Sequence, residues 1–228
     1  MRKTNFVNGE FYHIYNRGVD KRNIFSDERD VKRFMQSLDE FNDIEPIGSI
    51  YENSFHQALG RPTSKSVKRK KLVNFICYCL NPNHFHFILE QLVDNGISEF
   101  MKRLGGYTKY FNEKEKRSGA LFQGRFKSIH VNTNEYLLLL SAYVNLNDKV
   151  HRGTSLGRWT SKWKSRSSWE EYVGEKKQAT SKGLKCSKDI ILGQFRNKAE
   201  YKKFAQESVE ETINRRNLDK LPIDMLLE

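Results

Sequence analysis

The sequence predicts an α+β fold in which an antiparallel sheet carries two helices on one face. Segments with alternating apolar and polar residues, typical of strands, and segments with apolar residues at helical spacing follow each other in the order β-α-β-β-α-β. The two central strands are separated by Asn81-Pro82-Asn83, which has the residue types of a tight turn and therefore predicts an antiparallel hairpin. A further apolar helix and a basic extension follow this core.

Two elements and a basic segment precede the hairpin. Aromatic residues alternate with others over residues 10–18 and predict the first strand. Residues 26–42 predict the first helix, because apolar residues recur there at helical spacing and Ser26 can cap its beginning. Residues 60–71 contain basic residues and no acid, and we expect them to form a loop.

The hairpin and the elements after it complete the predicted core. The hairpin strands are predicted over residues 72–80 and 84–91. Residues 96–119 predict the second helix, although two adjacent glycines inside it cost about 1 kcal/mol each and indicate a kink or a close backbone approach. Residues 121–131 predict the fourth strand, with one apolar and one basic face.

The last third of the chain adds a helix and an extension to this core. Residues 132–150 predict a third helix, with Asn132 and Glu135 at the spacing of a capping box. We expect residues 1–150 to form one domain. Residues 151–228 are expected to form a basic, tryptophan-containing extension, with a helix over residues 189–211.

The composition favours a nucleic-acid partner. Lysine and arginine exceed aspartate and glutamate by 40 − 28 = 12 charges, which favours a polyanion; a basic protein without such a partner is the alternative. The three cysteines have neither the number nor the spacing of a disulfide scaffold or a zinc finger, so we expect a reducing, cytoplasmic setting. No apolar run reaches about 18 residues, so we expect no membrane span, and the first residues predict no signal peptide.

The stretch NPNHFHFILEQ places two histidines on one face of a predicted strand. Side chains alternate along a strand, so His84 and His86 point away from Phe85 and Phe87. Two imidazoles at this spacing can share a metal ion, with a third ligand from another element. The alternative is a pair of polar residues on the wetter sheet face, hydrogen-bonded to their neighbours.

The third predicted helix supplies two candidates for the same site. Tyr143 and Asn147 are four residues apart, so a single helix would carry both on one face. A helix near the histidines would bring a phenol and an amide carbonyl to a metal there. Alternatively, Tyr143 is a core residue and Asn147 an ordinary residue at a helix end. Tyr107 and Tyr110, on the second helix, are alternatives to Tyr143 as the tyrosine of such a site, and we expect at least one of them to be a core residue.

Five stretches, in order along the chain, resemble the single-tyrosine HUH transposases, and among them most of all the REP-associated tyrosine transposases. YHIYNRG resembles the first-strand signature, and NHFHFILE resembles the HUH strand, in which U is a bulky apolar residue, here Phe85. RLGGYTKYFNEKEKRSGALFQGRFKSIHV resembles the helix-strand segment of this branch. YVNLN resembles the motif in which the tyrosine nucleophile stands four residues before a polar residue, and SSWEEYVG resembles the element that follows. The matches extend over about residues 10–175.

This resemblance implies a ferredoxin-like catalytic core, a divalent metal (Mg²⁺ or Mn²⁺), and cleavage of single-stranded DNA near a hairpin. By position, His84 and His86 match the metal-binding histidines, and Tyr143 matches the nucleophile. Asn147 matches a polar residue that assists at the metal in some relatives. The implied reaction forms a 5′-phosphotyrosine and rejoins strands by transesterification.

Two features depart from the family pattern. The family often has a proline at the position of Asp148, and the basic insertion at about residues 50–71 is not placed on the family pattern. Relatives include monomers and homodimers, so both states stay open for this chain.

Basic and polar residues on several elements are predicted to bind DNA. They are Arg17, Gln123, Arg125, Lys127, Lys68, Arg69, Lys70 and Lys71. Trp159, Trp163 and Trp169 lie among basic residues, so they either stack on unpaired bases or pin the extension to the core.

Two other functions are compatible with the same residues. A catalytically inactive or domesticated protein would bind hairpin DNA without cutting it. A metal-dependent RNA nuclease would use the histidines without the tyrosine. Metal-dependent cleavage would distinguish a transposase from the inactive binding protein. The absence of a covalent protein–nucleic-acid adduct would favour the RNA nuclease.

Overall fold

The structure is a computed structural model that describes residues 5–52, 70–152, 165–174 and 184–219, with the side chains of all but residues 151–152 and 216–219. In these residues the sheet has the strands β1 (Phe11–Arg17), β2 (Val73–Asn81), β3 (His84–Gln91), β4 (Lys127–Val131) and β5 (Arg166–Ser167). All neighbouring strands are antiparallel, in the order β4-β1-β3-β2-β5. The first four strands have the predicted ferredoxin-like arrangement, and β5 extends the edge at β2.

The helices have the following bounds in the described residues. They are α1 (Glu28–Glu40), α2 (Gly96–Leu104), α3 (Tyr107–Lys114), α4 (Asn134–Asn145), α5 (Asn147–Arg152), α6 (Trp169–Val173), α7 (Asp189–Leu192) and α8 (Lys198–Asp219). None of these helices is long and apolar enough to cross a bilayer.

The sheet separates two hydrophobic clusters, and the alternation along the strands decides which side chains enter each. In the first cluster, Ile14, Phe85 and Phe87 pack with α1, α2 and α3 on one face of the sheet. In the second cluster, Ile88 packs with apolar residues of α4 on the other face, which is the face that carries the histidines. His86 is only 5% exposed, whereas His84 and Arg17, nearer the end of the hairpin, are half-buried, so this face is covered around His86 and opens toward His84.

The predicted cap of α1 is wrong by one residue. The carboxylate of Asp27, not the hydroxyl of Ser26, accepts hydrogen bonds from the backbone N–H groups of Arg29 and Asp30. Asp30 returns the bond to the Asp27 backbone and completes a capping box. Ser26 has Arg29 three residues later, which cannot accept such a bond, so the box selects Asp27.

The fourth strand is shorter than predicted. The structure has a strand only at Lys127–Val131, whereas the sequence predicts one over residues 121–131. Phe122 forms only an isolated bridge with Gly18, and Gly124 has a φ of 73°, which is incompatible with regular strand geometry. Gln123 and Arg125 therefore lie in a loop.

The helix predicted over residues 96–119 is two helices. It is interrupted at the adjacent glycines Gly105 and Gly106, and the second part ends at Lys114. The tail helix predicted over residues 189–211 is likewise divided, into α7 and α8.

The tyrosine-bearing helix also differs from the prediction. Its cap is Thr133, whose side chain accepts from the backbone N–H of Tyr136, and not Asn132. The helix is interrupted at Leu146, which has a non-helical φ of −110° and ψ of 16°. Asn147 is therefore the first residue of α5 and does not share a continuous helix with Tyr143.

Part of the C-terminal region packs on α4 through buried polar side chains. The Tyr201 hydroxyl on α8 accepts a hydrogen bond from Asn145 Nδ2 at 2.9 Å and lies 3.2 Å from Ser141 Oγ. Ser168 Oγ donates to Asn145 Oδ1 at 2.6 Å. These bonds fix the C-terminal half of α4 to its neighbours. The division of the chain at residue 150 stays a prediction.

Asn42 joins the end of α1 to the beginning of β2. Its Oδ1 accepts from the backbone N–H groups of Leu72 and Val73, and its Nδ2 donates to Val73 O. We expect Asn42→Ala to lower the free energy of unfolding by about 3 kcal/mol, because three buried backbone groups lose their partner. Urea denaturation measures the change.

The matched control for this prediction is Asn134→Ala, since the Asn134 side chain pairs with Gln194 at the exposed surface. We expect it to change stability by less than about 0.5 kcal/mol. An Asn42→Ala loss as small as that of the control would contradict the proposed role of the Asn42 bonds.

Candidate active site

The end of the β2–β3 hairpin holds the two histidines of the HUH stretch. His84 pairs in register with Arg17 on one side and Asn81 on the other, and His86 pairs with Tyr15 and Cys79. Residues opposite each other in a sheet point to the same face, so these side chains form two adjacent rows. The His84 and His86 ring centroids are 5.1 Å apart, with the ring planes nearly perpendicular.

Each histidine is held through its Nδ1 atom by a neighbouring side chain. His84 Nδ1 lies 2.6 Å from Asn83 Oδ1, which can only accept, so this nitrogen carries the proton and donates. His86 Nδ1 lies 3.0 Å from Nε2 of His13, a third histidine on β1. Metal-binding histidines usually donate the N–H of the nitrogen that does not bind the metal in this way. Metal binding through Nε2 requires each Nδ1 to donate, which the Asn83 contact fixes for His84 and which for His86 depends on the tautomer of its pair with His13.

His13 is buried completely, and burial lowers its pKa to about 3. It is therefore neutral at ordinary pH and has one donating and one accepting nitrogen. Its Nδ1 is buried without a hydrogen-bond partner. A buried polar atom of this kind is uncommon in folded proteins and is typical of functional sites.

Tyr143 on α4 contacts His86, one member of the histidine pair. Its ring centroid lies 5.8 Å from that of His86, with the ring planes at 89°, an edge-to-face contact within one chain. Tyr143 is 8% exposed. It also lines a small pocket of about 170 Å³ between α4 and α8, together with Leu139 and Thr212.

Asn147 lies on the other side of the histidine pair, against His84. Its Oδ1 accepts a hydrogen bond from Asn81 Nδ2 at 2.7 Å and lies 3.1 Å from His84 Nε2. Asn81 Nδ2 is also 2.9 Å from His84 Nε2. Asn147 Nδ2 is buried without a hydrogen-bond partner. The structure thus brings His84, His86, Tyr143 and Asn147 together, although Asn147 reaches the site from a different helix than predicted.

The residues predicted to bind DNA fall into two separate places. Arg17 Nε donates to Gln123 Oε1 at 2.5 Å, and Lys127 Nζ lies 5.9 Å above the ring of Tyr15. Arg17 pairs in register with His84, and Lys127 pairs with Tyr15, so both lie beside the histidine rows. Arg125 is exposed in the same loop as Gln123. They form the basic rim of the site, by which we mean Arg17, Gln123, Arg125 and Lys127.

The other predicted DNA-binding residues lie elsewhere. Lys70 and Lys71 are exposed and precede β2, whose length puts them about 26 Å from the histidine end of the strand. Lys68 and Arg69 lie outside the described residues, as do Trp159 and Trp163. Trp169 packs against the second hydrophobic cluster, as expected if it pins the extension to the core.

The rival tyrosines face away from the histidines. Tyr107 is in the first cluster, on the opposite face of the sheet, and its hydroxyl donates to Ile24 O at 2.8 Å. The Tyr110 hydroxyl donates to Asp30 Oδ1 at 3.2 Å on the same side. Neither lies on the sheet face that carries His86.

A divalent metal fits the residues of the site. His84 Nε2 and Asn147 Oδ1 are both lone-pair atoms, 3.1 Å apart, and neighbouring ligands of an octahedral ion with bonds of about 2.1 Å are separated by about 3.0 Å. Among the described residues no cluster of three histidine, cysteine, aspartate or glutamate side chains could hold a metal. The fit therefore needs an amide oxygen besides the imidazoles.

Sequence reasoning missed two residues of this site, His13 and Asn81. The sequence contained a signal for His13. His13, Tyr15 and Arg17 are every second residue along β1, so their side chains point to the same face of the sheet. Its contact with His86 additionally requires that β1 lie beside β3. Asn81 was treated only as a turn residue.

The fold and the site define a ferredoxin-like α+β protein in which a pair of histidines on the sheet lies beside a tyrosine-bearing helix. One family match covers part of the chain. Residues 50–147, which include all four predicted catalytic and metal-binding residues, match the family described as "Transposase IS200 like". The resemblance to the single-tyrosine transposases is confirmed.

Two further comparisons complete this result. One solved structure, described as "Structure of the REP associates tyrosine transposase bound to a REP hairpin", is similar with a TM-score of 0.45 and 12% sequence identity. The match covers 77% of this chain and 86% of that one. No curated protein matches the chain.

Proposed function

We propose that this protein nicks and rejoins single-stranded DNA beside a hairpin, with Tyr143 as the nucleophile and a divalent metal at His84 and His86. The observation that carries the proposal is the edge-to-face contact of Tyr143 with His86. It puts a phenol beside the paired imidazoles within one chain. The match of residues 50–147 to IS200-like transposases supports the same class of reaction.

Mg²⁺ or Mn²⁺ would be held by His84, His86 and the Oδ1 atom of Asn147. When bound, such an ion polarises the scissile phosphate and offsets the charge that develops on it. Because imidazole is not a preferred ligand of Mg²⁺, Mn²⁺ is the better probe in vitro. In the metal-bound form Asn83 and His13 would orient the two rings by accepting from their Nδ1 atoms, which lie 2.6 Å and 3.0 Å from Asn83 Oδ1 and His13 Nε2.

The proposed reaction exchanges one phosphate ester for another. The Tyr143 hydroxyl loses its proton and its oxygen forms a bond to phosphorus. The bond from phosphorus to the 3′ oxygen breaks, and that oxygen takes a proton and leaves as a 3′-hydroxyl. The product is a 5′-phosphotyrosine, and attack by a second 3′-hydroxyl reverses the step and joins strands without ATP.

The basic rim would guide the DNA to this site. Arg17 and Lys127 supply positive charge beside the histidine rows, where a phosphate would lie. Gln123, which is exposed and accepts a hydrogen bond from Arg17, would read a base edge. The long separation between Lys70 and the histidines indicates that Lys70 and Lys71 would contact a distant part of the strand.

The test is to incubate the full chain with a labelled, hairpin-bearing single strand, with and without Mn²⁺. We expect a metal-dependent nick and a covalent protein–DNA adduct that survives denaturing electrophoresis. Binding without cleavage would contradict the proposal and indicate an inactive hairpin-binding protein. Cleavage without an adduct, especially of an RNA strand, would indicate a nuclease that uses water.

His13 is expected to support metal binding without touching the metal. We expect His13→Phe to weaken Mn²⁺ binding by about 10- to 100-fold, because His86 Nδ1 loses its partner and the ring is no longer oriented. His13→Gln, whose amide oxygen can accept the same bond, should bind within about threefold of the unsubstituted protein. Calorimetric titration measures both, and equal affinity for the phenylalanine variant would contradict this role.

A further inference from the structure

Asn81 occupies a place in the candidate site that its position in a turn does not explain. It is the last residue of β2, is fully buried, and faces both His84 and Asn147. Its Nδ2 atom lies 2.7 Å from Asn147 Oδ1 and 2.9 Å from His84 Nε2, and those two atoms are 3.1 Å apart. The three atoms form a nearly equilateral triangle.

Two corners of this triangle are acceptors. His84 donates through Nδ1 to Asn83, so its Nε2 carries a lone pair. Asn147 Oδ1 is an amide oxygen. The two hydrogens of the Asn81 amide group satisfy both acceptors in the absence of a cation. A cation held by His84 Nε2 and Asn147 Oδ1 would therefore meet the positive end of the Asn81 amide.

A half turn of the Asn81 amide removes this conflict. It exchanges Oδ1 and Nδ2, which have nearly the same size. Asn81 Oδ1 then offers a lone pair at the triangle, beside those of His84 Nε2 and Asn147 Oδ1. Oδ1 gives up little in the exchange, because its partner is Cys79 Sγ at 3.8 Å, and a thiol is a weak donor. After the half turn, Cys79 Sγ can accept a weak hydrogen bond from Nδ2, which then stands where Oδ1 stood.

We propose that Asn81 is a metal ligand of the site, and that it binds through Oδ1 after its amide turns over. The triangle edges of 2.7–3.1 Å match the separation of about 3.0 Å between neighbouring ligands of an octahedral ion with bonds of about 2.1 Å. Asn81 thus completes a donor set in which two histidines and two amides hold the ion without a carboxylate. This inference rests on the metal centre of the proposed function.

The test uses the full chain with Mn²⁺ as the probe, in calorimetric titration and in thermal unfolding with and without the ion. Asn81→Asp keeps the shape and supplies a charged oxygen, so we expect Mn²⁺ to bind at least about tenfold more tightly. Without metal, this variant should unfold at a lower temperature than the unsubstituted protein, because the new carboxylate faces two acceptors, His84 Nε2 and Asn147 Oδ1. Mn²⁺ should therefore raise its unfolding temperature more than that of the unsubstituted protein.

Asn81→Leu removes the ligand atom, and we expect Mn²⁺ binding at least about tenfold weaker. Asn74→Leu, at the opposite end of β2, is the matched control and should leave Mn²⁺ affinity unchanged. Affinity that is equal or higher in Asn81→Leu overturns the inference, since Asn81 would then only compete with the ion. If Asn81→Leu does not fold, the aspartate variant decides, and binding no tighter than in the unsubstituted protein overturns it.

The metal centre itself has a separate control. If Mn²⁺ binds the unsubstituted protein and His84→Ala abolishes binding while both Asn81 variants leave it unchanged, this inference fails and the proposed metal centre stands. If the unsubstituted protein binds no Mn²⁺, both are overturned.

Discussion

Tyr143→Phe is expected to reduce DNA nicking and adduct formation by about three orders of magnitude or more. The substitution removes the hydroxyl that would attack phosphorus and keeps the ring that contacts His86. Fold and DNA binding should therefore be preserved, with hairpin affinity within about threefold of the unsubstituted protein. Single-turnover cleavage of a labelled strand in Mn²⁺ measures the rate, and an electrophoretic shift measures the binding.

The matched control is Tyr136→Phe, a half-buried tyrosine two turns earlier on α4. It should cleave at a rate close to that of the unsubstituted protein. Tyr107 and Tyr110 cannot replace Tyr143, because both pack on the opposite face of the sheet. An adduct that persists in Tyr143→Phe would show that another residue is the nucleophile.

Replacing both His84 and His86 by alanine is expected to have the second largest effect. Without the two imidazoles, Mn²⁺ affinity should fall by more than about 100-fold, because only amide ligands remain. Nicking should fall to background, while hairpin binding should persist, since the basic rim is unchanged. Calorimetry and the cleavage assay measure the two effects on one preparation.

His130→Ala is the control for the histidine substitutions. His130 lies on β4, is 43% exposed, and contacts Glu10 at the surface. Its replacement should change neither Mn²⁺ affinity nor nicking. Metal-dependent nicking that survives the loss of both His84 and His86 would refute the assigned metal site, and the reaction would need another explanation.

The strands of the central sheet were predictable because their signals are local. The turn at Asn81-Pro82-Asn83 and the alternation of His84 and His86 with phenylalanines define the hairpin and its two faces without knowledge of distant residues. The same reasoning failed at residues 121–126. There the positive φ of Gly124 ends the strand geometry that the alternation of Phe122 and Phe126 suggested.

The position of Asn147 was not predictable in the same way. Local sequence favours a single helix through Tyr143 and Asn147, but Asn145 bonds to Ser168 and Tyr201, and Asn147 bonds to Asn81. These partners are 23 to 66 residues away in the chain, and their bonds accompany the interruption at Leu146. His13 was missed for a related reason, because its contact with His86 depends on the order of the strands.

The most direct test of the central claim is to map the covalent intermediate by mass spectrometry. The full chain is incubated with a hairpin-bearing single strand and Mn²⁺, digested, and searched for the peptide that carries a nucleotide. We expect the nucleotide on the Tyr143 side chain, linked through a 5′-phosphate. A nucleotide on a different residue, or cut DNA with no modified peptide, would contradict the assignment of Tyr143 as the nucleophile.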